Sequence, residues 1–158
     1  MRIGHGYDAH RFTAGRPLVL GGVKVPFEKG LAAHSDGDAV IHALCDALLG
    51  AAGLGDIGTQ FPDNDEQFRN IDSRVLLRKV RSLVTEKGYT IRNVDITVLA
   101  ERPKLAPFIP QMRENLATDL QTSTDTIGIK ASTTEKMGFI GREEGMAAYA
   151  VVLIAADD

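Results

Sequence analysis

The sequence has one cysteine, no tryptophan and only 6% aromatic residues. A lone thiol, Cys45, cannot make an internal disulfide, and a thiolate-rich structural zinc site has nothing to be built from. Cys45 falls among Ile41, Leu44 and Leu48 at helical spacing, which makes it a buried structural thiol and not a nucleophile. Positive charge is not in surplus either, since 18 Lys and Arg stand against 21 Asp and Glu, a formal net charge of -3. Backbone binding to nucleic acid needs a basic excess, so a nucleic-acid partner is not expected and any phosphate must be bound locally. The opening Met1-Arg2-Ile3-Gly4-His5-Gly6 lacks the apolar core and small-residue cleavage site of a signal peptide. The expectation is a cytoplasmic protein with no membrane partner.

What is present suits a soluble globular protein: 158 residues, 44% hydrophobic and 25% charged, with a mean hydropathy of -0.07. Neither a repeat nor a compositional break marks a linker, so one domain spanning residues 1–158 is expected. Arg2 to His10 reads as a strand, and Pro17-Leu18-Val19-Leu20 and Val23-Lys24-Val25 flank Gly21-Gly22 as a hairpin. A helix follows, capped by Ser35 or Asp36 with Asp38 in its first turn. Val40, Ile41, Leu44, Cys45, Leu48 and Leu49 form its apolar face, and Asp38, His42 and Asp46 its polar stripe, before Gly50 to Gly55 ends it. A second helix runs from a cap at Asp72 to a stop at Gly88, carrying Leu76, Leu77, Val80, Leu83 and Val84 on one side. Tyr89 to Ala100 is a strand, and Pro107 opens a third helix with Ile109, Met112, Leu116 and Leu120 inward. Strands near Thr126 to Ala131 and Met146 to Ala156 close the chain. The class is α+β: a mixed β-sheet with helices packed on one face, plus a small β-hairpin.

Chemistry first appears at Asp8-Ala9-His10, because residues two apart on a strand share a face and set a carboxylate beside an imidazole. His42 could add a third ligand. One oxygen and two nitrogen donors leave a tetrahedral zinc with an open position, the pattern of catalytic sites. His42 could equally be a helix-surface residue paired to Asp38 or Asp46. His34-Ser35-Asp36-Gly37-Asp38 sits before a helix start, where N–H groups favour an anion. An N-capping turn explains Ser35, Asp36 and Gly37 and leaves His34 over. Gly55-Asp56-Ile57-Gly58 and Phe61-Pro62-Asp63 lie in a long stretch without periodicity. Lys130 to Lys136 leaves a strand end with three hydroxyls and Glu135, suited to phosphate and a hard cation, or simply to a polar turn.

These blocks resemble one family in order and spacing across essentially the whole chain. Gly4-His5-Gly6-Tyr7-Asp8-Ala9-His10, Ala33-His34-Ser35-Asp36-Gly37-Asp38, Leu54-Gly55-Asp56-Ile57-Gly58, Phe61-Pro62-Asp63, Pro103-Lys104, Thr133-Thr134-Glu135-Lys136 and Gly138-Phe139-Ile140-Gly141-Arg142-Glu143-Glu144-Gly145 are similar to the 2-C-methyl-D-erythritol 2,4-cyclodiphosphate synthase family. Three departures stand out: Glu101-Arg102 where many members carry Gln-Ala, Ser132 in place of a common Thr, and Ile140 where Thr is frequent.

The resemblance implies a cytidine diphosphate substrate, cyclised with release of CMP. It implies zinc, or alternatively manganese, on Asp8, His10 and His42, and Glu135 helping to place magnesium or manganese on the substrate diphosphate. His34 and Thr133 would be catalytic, as stabilisers of the transition state. Asp8, Ala9, His10, His34 and Ser35, with Asp56, Ile57, Gly58, Phe61, Pro62, Asp63, Asn64 and Asp65, would contact the phosphates and the erythritol part. Ala100, Glu101, Arg102, Pro103, Lys104, Leu105 and Ala106, with Ser132, Thr133, Thr134 and Glu135, would hold the cytidine diphosphate, with Phe139 and Arg142 nearby. It also implies a homotrimer with active sites between subunits and an apolar central channel, where Arg142 with Glu144 could cap an isoprenoid diphosphate. Two other functions fit the residues less fully: a zinc hydrolase using Asp46 or Asp56 as base, and a metabolite-sensing trimer.

Overall fold

The computed structural model describes residues 1–156. The chain runs β1 (Arg2–Ala14), β2 (Leu18–Leu20), β3 (Val23–Val25), β4 (Lys29–Leu31), α1 (Ala39–Ala52), α2 (Ile57–Gln60), α3 (Ser73–Glu86), β5 (Tyr89–Leu99), α4 (Ile109–Leu120), β6 (Ile127–Ser132), α5 (Gly138–Gly141) and β7 (Gly145–Ala156). Five strands form one sheet in the order β4-β1-β7-β5-β6, and β2 pairs with β3 as a separate hairpin. Central β7 is antiparallel to β1 and β5, whereas β5 and β6 run parallel, so the sheet is mixed. The parallel pair needs a crossover, and α4 supplies it. Among the described residues no helix is long and apolar enough to cross a membrane.

Period-two alternation decides which sheet face is covered. Val94, Ile96 and Val98 of β5 and Ala148, Ala150, Val152 and Ile154 of β7 are buried beneath the helices. Their neighbours point the other way: Ile3 is 73% exposed, Tyr7 45%, Tyr149 39% and Val151 45%, so the second face is open, and these apolar side chains share it with His5, Thr97 and the Asp95–Lys130 ion pair. Most of α1 is buried, because it is rich in alanine and lies across β1 and β7. α3 instead buries one stripe, Leu76, Leu77, Val80 and Val84, and leaves Leu83 only partly covered.

Several local expectations need correction. Asp38, and neither Ser35 nor Asp36, is the N-cap of α1; its carboxylate accepts the Ile41 N–H. Being wholly buried, Asp38 is also not on the polar stripe. β1 continues four residues past His10 because Phe12, Thr13 and Ala14 pair with β4, a strand that its Lys-Gly-Leu composition does not announce. The stretch after Gly55 holds α2 and a 3-10 turn over Glu66–Phe68, each opened by an aspartate cap whose spacing is too short for periodicity to show. Pro107 lies in a 3-10 turn, Ala106–Phe108, and α4 starts only at Ile109.

α3 and α4 are tied through Asp119, a buried carboxylate held by Arg74 Nε at 2.7 Å and Arg78 Nη1 at 3.0 Å. The guanidinium groups keep access to water, so losing the acid does not strand a buried cation. Asp119→Ala is expected to cost about 2–3 kcal/mol in urea denaturation, chiefly from lost charged hydrogen bonds and packing; a cost below about 0.5 kcal/mol would class the cluster with surface ion pairs.

Candidate metal centre and substrate cleft

The centre is built by laying a helix directly on a strand. A Cβ on Gly4 would sit 1.9 Å from the Ala47 carbonyl oxygen, and one on Gly6 would sit 1.9 Å from that of Ala43, so hydrogen alone fits at either place. Residues 4, 6, 8 and 10 share this face, because the pairing with β7 runs without a break from Arg2 to Arg11. Asp8 and His10 therefore continue the face on which α1 rests. His42, in the first turn of α1, comes down beside them. Asp8 Oδ2 lies 2.6 Å from His10 Nε2 and 3.3 Å from His42 Nδ1. One donor atom from each residue lies within 4.8 Å of the others.

Hydrogen bonding shows which way the lone pairs point. His10 Nδ1 faces the Ala32 carbonyl oxygen at 3.1 Å, and a carbonyl can only accept. A proton therefore sits on Nδ1, and in the neutral imidazole His10 Nε2 turns a lone pair toward Asp8. That nitrogen and Asp8 Oδ2 are both buried and, although 2.6 Å apart, do not meet at a hydrogen-bonding angle. Two buried acceptors this close repel unless a cation lies near both. Burial alone would raise the Asp8 carboxyl, but the His10 and His42 imidazoles beside it outweigh burial and hold it below the usual range. Burial likewise opposes charge on His42, but the neighbouring Asp8 carboxylate, with the fields of Asp38 and Asp36, carries its pKa upward. One carboxylate oxygen and two imidazole nitrogens are a donor set suited to zinc or manganese, with a position left for a ligand.

The cluster lies in a cleft of about 610 Å³ whose walls include His34, Ser35, Asp46, Ile57, Gly58 and Asp63. Phe61 closes one side and packs edge-on against Phe68, 5.2 Å between ring centroids. The 57–58 wall is anchored by Asp46, whose carboxylate, raised by burial, accepts the Ile57 N–H at 2.9 Å. Asp56 caps the same short helix through Thr59 N and Oγ1, both at 2.8 Å. Pro62, Asn64 and Asp65 continue outward, exposed or half-exposed, and Asp65 caps the next turn. Arg16 grips the Ala33 and Ser35 carbonyls at 2.7 and 2.5 Å, which leaves the His34 side chain exposed at the rim.

The remaining residues named from the sequence collect elsewhere. Ala100, Glu101, Pro103, Lys104, Leu105 and Ala106 line a pocket of about 200 Å³ with Ser132 and Thr133. The sheet order puts two strands between β1 and β6, so this pocket is about 14 Å across the sheet from Asp8 and His10. Glu101 Oε1 is committed to the turn after β6, accepting from Thr134 N at 3.1 Å, Thr134 Oγ1 at 3.3 Å and Lys136 N at 3.1 Å. It thereby holds Glu135 and Lys136 at φ of 53° and 63°, values that side chains other than glycine seldom adopt. Arg102 is drawn away from the pocket by Glu143 and Glu28 and lies over the Phe27 ring. Glu135 is exposed in this turn, and within one chain it is not among the three donors. Phe139 shares a small groove with Ala9, His10 and Glu144, and Arg142 pairs with Glu144 at 3.3 Å. Ser73, at the start of α3, and Ile71, in the loop before it, reach the metal cleft or its ligands and carry no local signal in the sequence.

Fold and cluster together define an α+β protein with a candidate divalent-metal site at the base of an open cleft. The YgbB family matches residues 1–155. The chain is 62% identical over 154 residues to a 2-C-methyl-D-erythritol 2,4-cyclodiphosphate synthase of Geobacter metallireducens, covering 98% of both chains. It superposes on the bifunctional IspDF of Campylobacter jejuni with a TM-score of 0.95 and 48% identity, over 99% of this chain and 42% of that longer one. On the Plasmodium falciparum IspF CDP complex the TM-score is 0.88 at 38% identity, covering 99% and 97%. The chain belongs to the YgbB family.

Two consequences follow for the frame of the site. Gly6→Ala is expected to cost about 2–3 kcal/mol of stability and to weaken divalent-metal binding at the candidate site, because α1 must rise off β1 and take His42 with it; calorimetry and titration would detect both, and an unaltered protein would deny the glycine contact its role. Burial pushes the Asp38 carboxyl up to about 6, with hydrogen bonds from Gly22, Ile41 and Gly21 opposing the rise. A carboxyl whose folded pKa exceeds its ordinary 3.8 stabilises the fold below that value and loses the contribution as pH climbs through about 6. The stability difference between wild type and Asp38→Asn is therefore expected to move against wild type by about 2 kcal/mol from pH 4 to 7, and a flat difference would place the group at its ordinary pKa.

Proposed function

We propose that this chain catalyses the ring closure of 4-diphosphocytidyl-2-C-methyl-D-erythritol 2-phosphate to 2-C-methyl-D-erythritol 2,4-cyclodiphosphate, releasing CMP, in non-mevalonate isoprenoid synthesis in the cytoplasm. The observation that carries this is the convergence of three lone-pair donors, Asp8 Oδ2, His10 Nε2 and His42 Nδ1, at the base of the cleft in a chain so similar to synthases of that name. An oxygen of the substrate's 2-phosphate bonds to the β-phosphorus, the bond from that phosphorus to the α–β bridging oxygen breaks, and CMP leaves with the electron pair. The attacking phosphate has a second pKa of about 6, so it is largely dianionic at neutral pH and no protein base is needed. Water takes no part.

The protein's task is to bring two anionic groups together and offset their repulsion. Asp8, His10 and His42 hold zinc, with manganese as the alternative, and Glu135 helps to hold magnesium or manganese beside the diphosphate. Such cations, when bound, polarise phosphoryl oxygens and neutralise charge that develops on them. His34, exposed at the rim, and Thr133 direct donors at the transferring phosphoryl group. The Asp56 to Gly58 wall and the Phe61 to Asp65 segment hold the erythritol part, and the pocket from Ala100 to Ala106 with Ser132 to Glu135 holds the cytidine diphosphate. A homotrimer would join these parts, with the metal ligands of one subunit meeting the cytidine pocket of the next. Two observations favour that assembly: the pockets open separately on one chain, and the uncovered sheet face exposes apolar side chains, with the Tyr7 and Tyr149 rings tilted against each other at 5.0 Å between centroids. In the channel of such a trimer, Arg142 with Glu144 would meet an isoprenoid diphosphate.

Phosphorus NMR tests the reaction. Purified protein given this substrate and magnesium is expected to produce a cyclic diphosphate and CMP, with the signals lost when zinc is chelated. Asp8→Ala and His42→Ala are expected to abolish turnover while keeping the fold. Linear phosphate products would instead indicate a hydrolase, and normal turnover in either variant would remove the metal role.

A further inference from the structure

Ser73 is fully buried at the start of α3, on neither of the elements that supply the three donors. Its Oγ–H donates to Asp36 Oδ1 at 2.5 Å, and its backbone N–H donates to Asp36 Oδ2 at 2.9 Å. A serine hydroxyl has one proton, and here it is committed to the carboxylate. The oxygen therefore faces His42 Nε2, 3.0 Å away, as an acceptor. Ser35 Oγ lies 3.2 Å from the same nitrogen and itself receives the Gly37 N–H at 3.3 Å. The ring proton of His42 accordingly sits on Nε2, and Nδ1 is the nitrogen whose lone pair meets Asp8.

We infer that Ser73 and Asp36 are positioning residues for the metal centre, an Asp36–Ser73–His42 chain through the buried serine that fixes the tautomer and ring angle of His42 and strengthens Nδ1 as a donor. The carboxylate draws on the hydroxyl proton, the hydroxyl oxygen becomes a better acceptor, and the imidazole opposite the metal becomes more basic. α3 thereby acts on a site whose donors come from β1 and α1. A purely structural task does not require the hydroxyl, because the Asp36 carboxylate already holds α3 through the Ser73 N–H and the helix start through the Asp38 N–H at 3.1 Å. This role rests on the reading of Asp8, His10 and His42 as a divalent-metal site.

The test is zinc affinity of the stripped protein, by competition with a chromogenic chelator, with the visible spectrum of the cobalt(II) form and the melting temperature recorded alongside. Ser73→Ala keeps the backbone tie and removes only the hydroxyl; it is expected to weaken zinc binding about 10–100-fold and to alter the cobalt bands. Ser73→Thr, which returns a hydroxyl, is expected to recover most of the loss. Asp36→Asn, which turns an amide donor toward groups that themselves donate, is expected to weaken zinc with Ser73 in place, so the outcome does not hang on one variant folding. Wild-type zinc affinity in folded Ser73→Ala would overturn the positioning role alone. A wild type that binds neither zinc nor cobalt would overturn the metal reading, and this role with it.

Discussion

The contact between α1 and the glycine face of β1 supports both the core and the candidate site. With hydrogen at Gly4 and Gly6, the helix backbone rests on the strand, and its alanines pack where larger side chains would force it away. That approach sets the height of α1 above the sheet, and hence the reach of His42 to Asp8 and His10. A two-residue period on the strand and a first-turn position on the helix are enough to bring three donors together once the two elements touch.

Two carboxylates hold the loop that leads into that helix, and both turn inward. Asp38 ties the cap of α1 to the β2–β3 hairpin through the Gly21 and Gly22 N–H groups, at 2.9 and 2.8 Å. Asp36 ties the loop to α3, and Arg16 takes its outward carbonyls. With both carboxylates and the Ala33 and Ser35 carbonyls engaged by protein, the His34 side chain is left exposed at the cleft rim. The loop is tied down on its inner side and presents His34 on its outer side, an arrangement that suits the proposed phosphoryl transfer, where placement and fixed charge do most of the work.

The sheet separates the metal donors from the Ala100 to Ala106 pocket, placing them toward opposite edges. Glu101 and Arg102 are occupied in shaping that second region: one holds the Thr134 to Lys136 turn, the other joins Glu28 and Glu143 across neighbouring loops. The apolar patch on the uncovered face of the sheet, Ile3, Tyr7, Tyr149 and Val151, is the feature of a single chain that most calls for a partner. A substrate long enough to use both pockets and a surface in need of cover are met by the same proposed assembly.

Strong periodicity and punctuation in the sequence determined the long elements: the three main helices, the hairpin at Gly21-Gly22, and the strands beginning at Arg2 and Tyr89. Composition excluded a disulfide framework and a thiolate metal site, and the Asp-x-His spacing put Asp8 and His10 on one face, because strand geometry is local. Elements held by partners and not by their own sequence left no such mark; β4 exists because Phe12 to Ala14 pair with it, and Asp38 is buried because the hairpin donates to it. Only the tertiary structure decided that His42 meets Asp8 and that Ser73 stands behind it, since both depend on how α1 and α3 pack. Sequence spacing carries the geometry within an element, but the distance between elements is set by the side chains, and the missing side chains, at their contact.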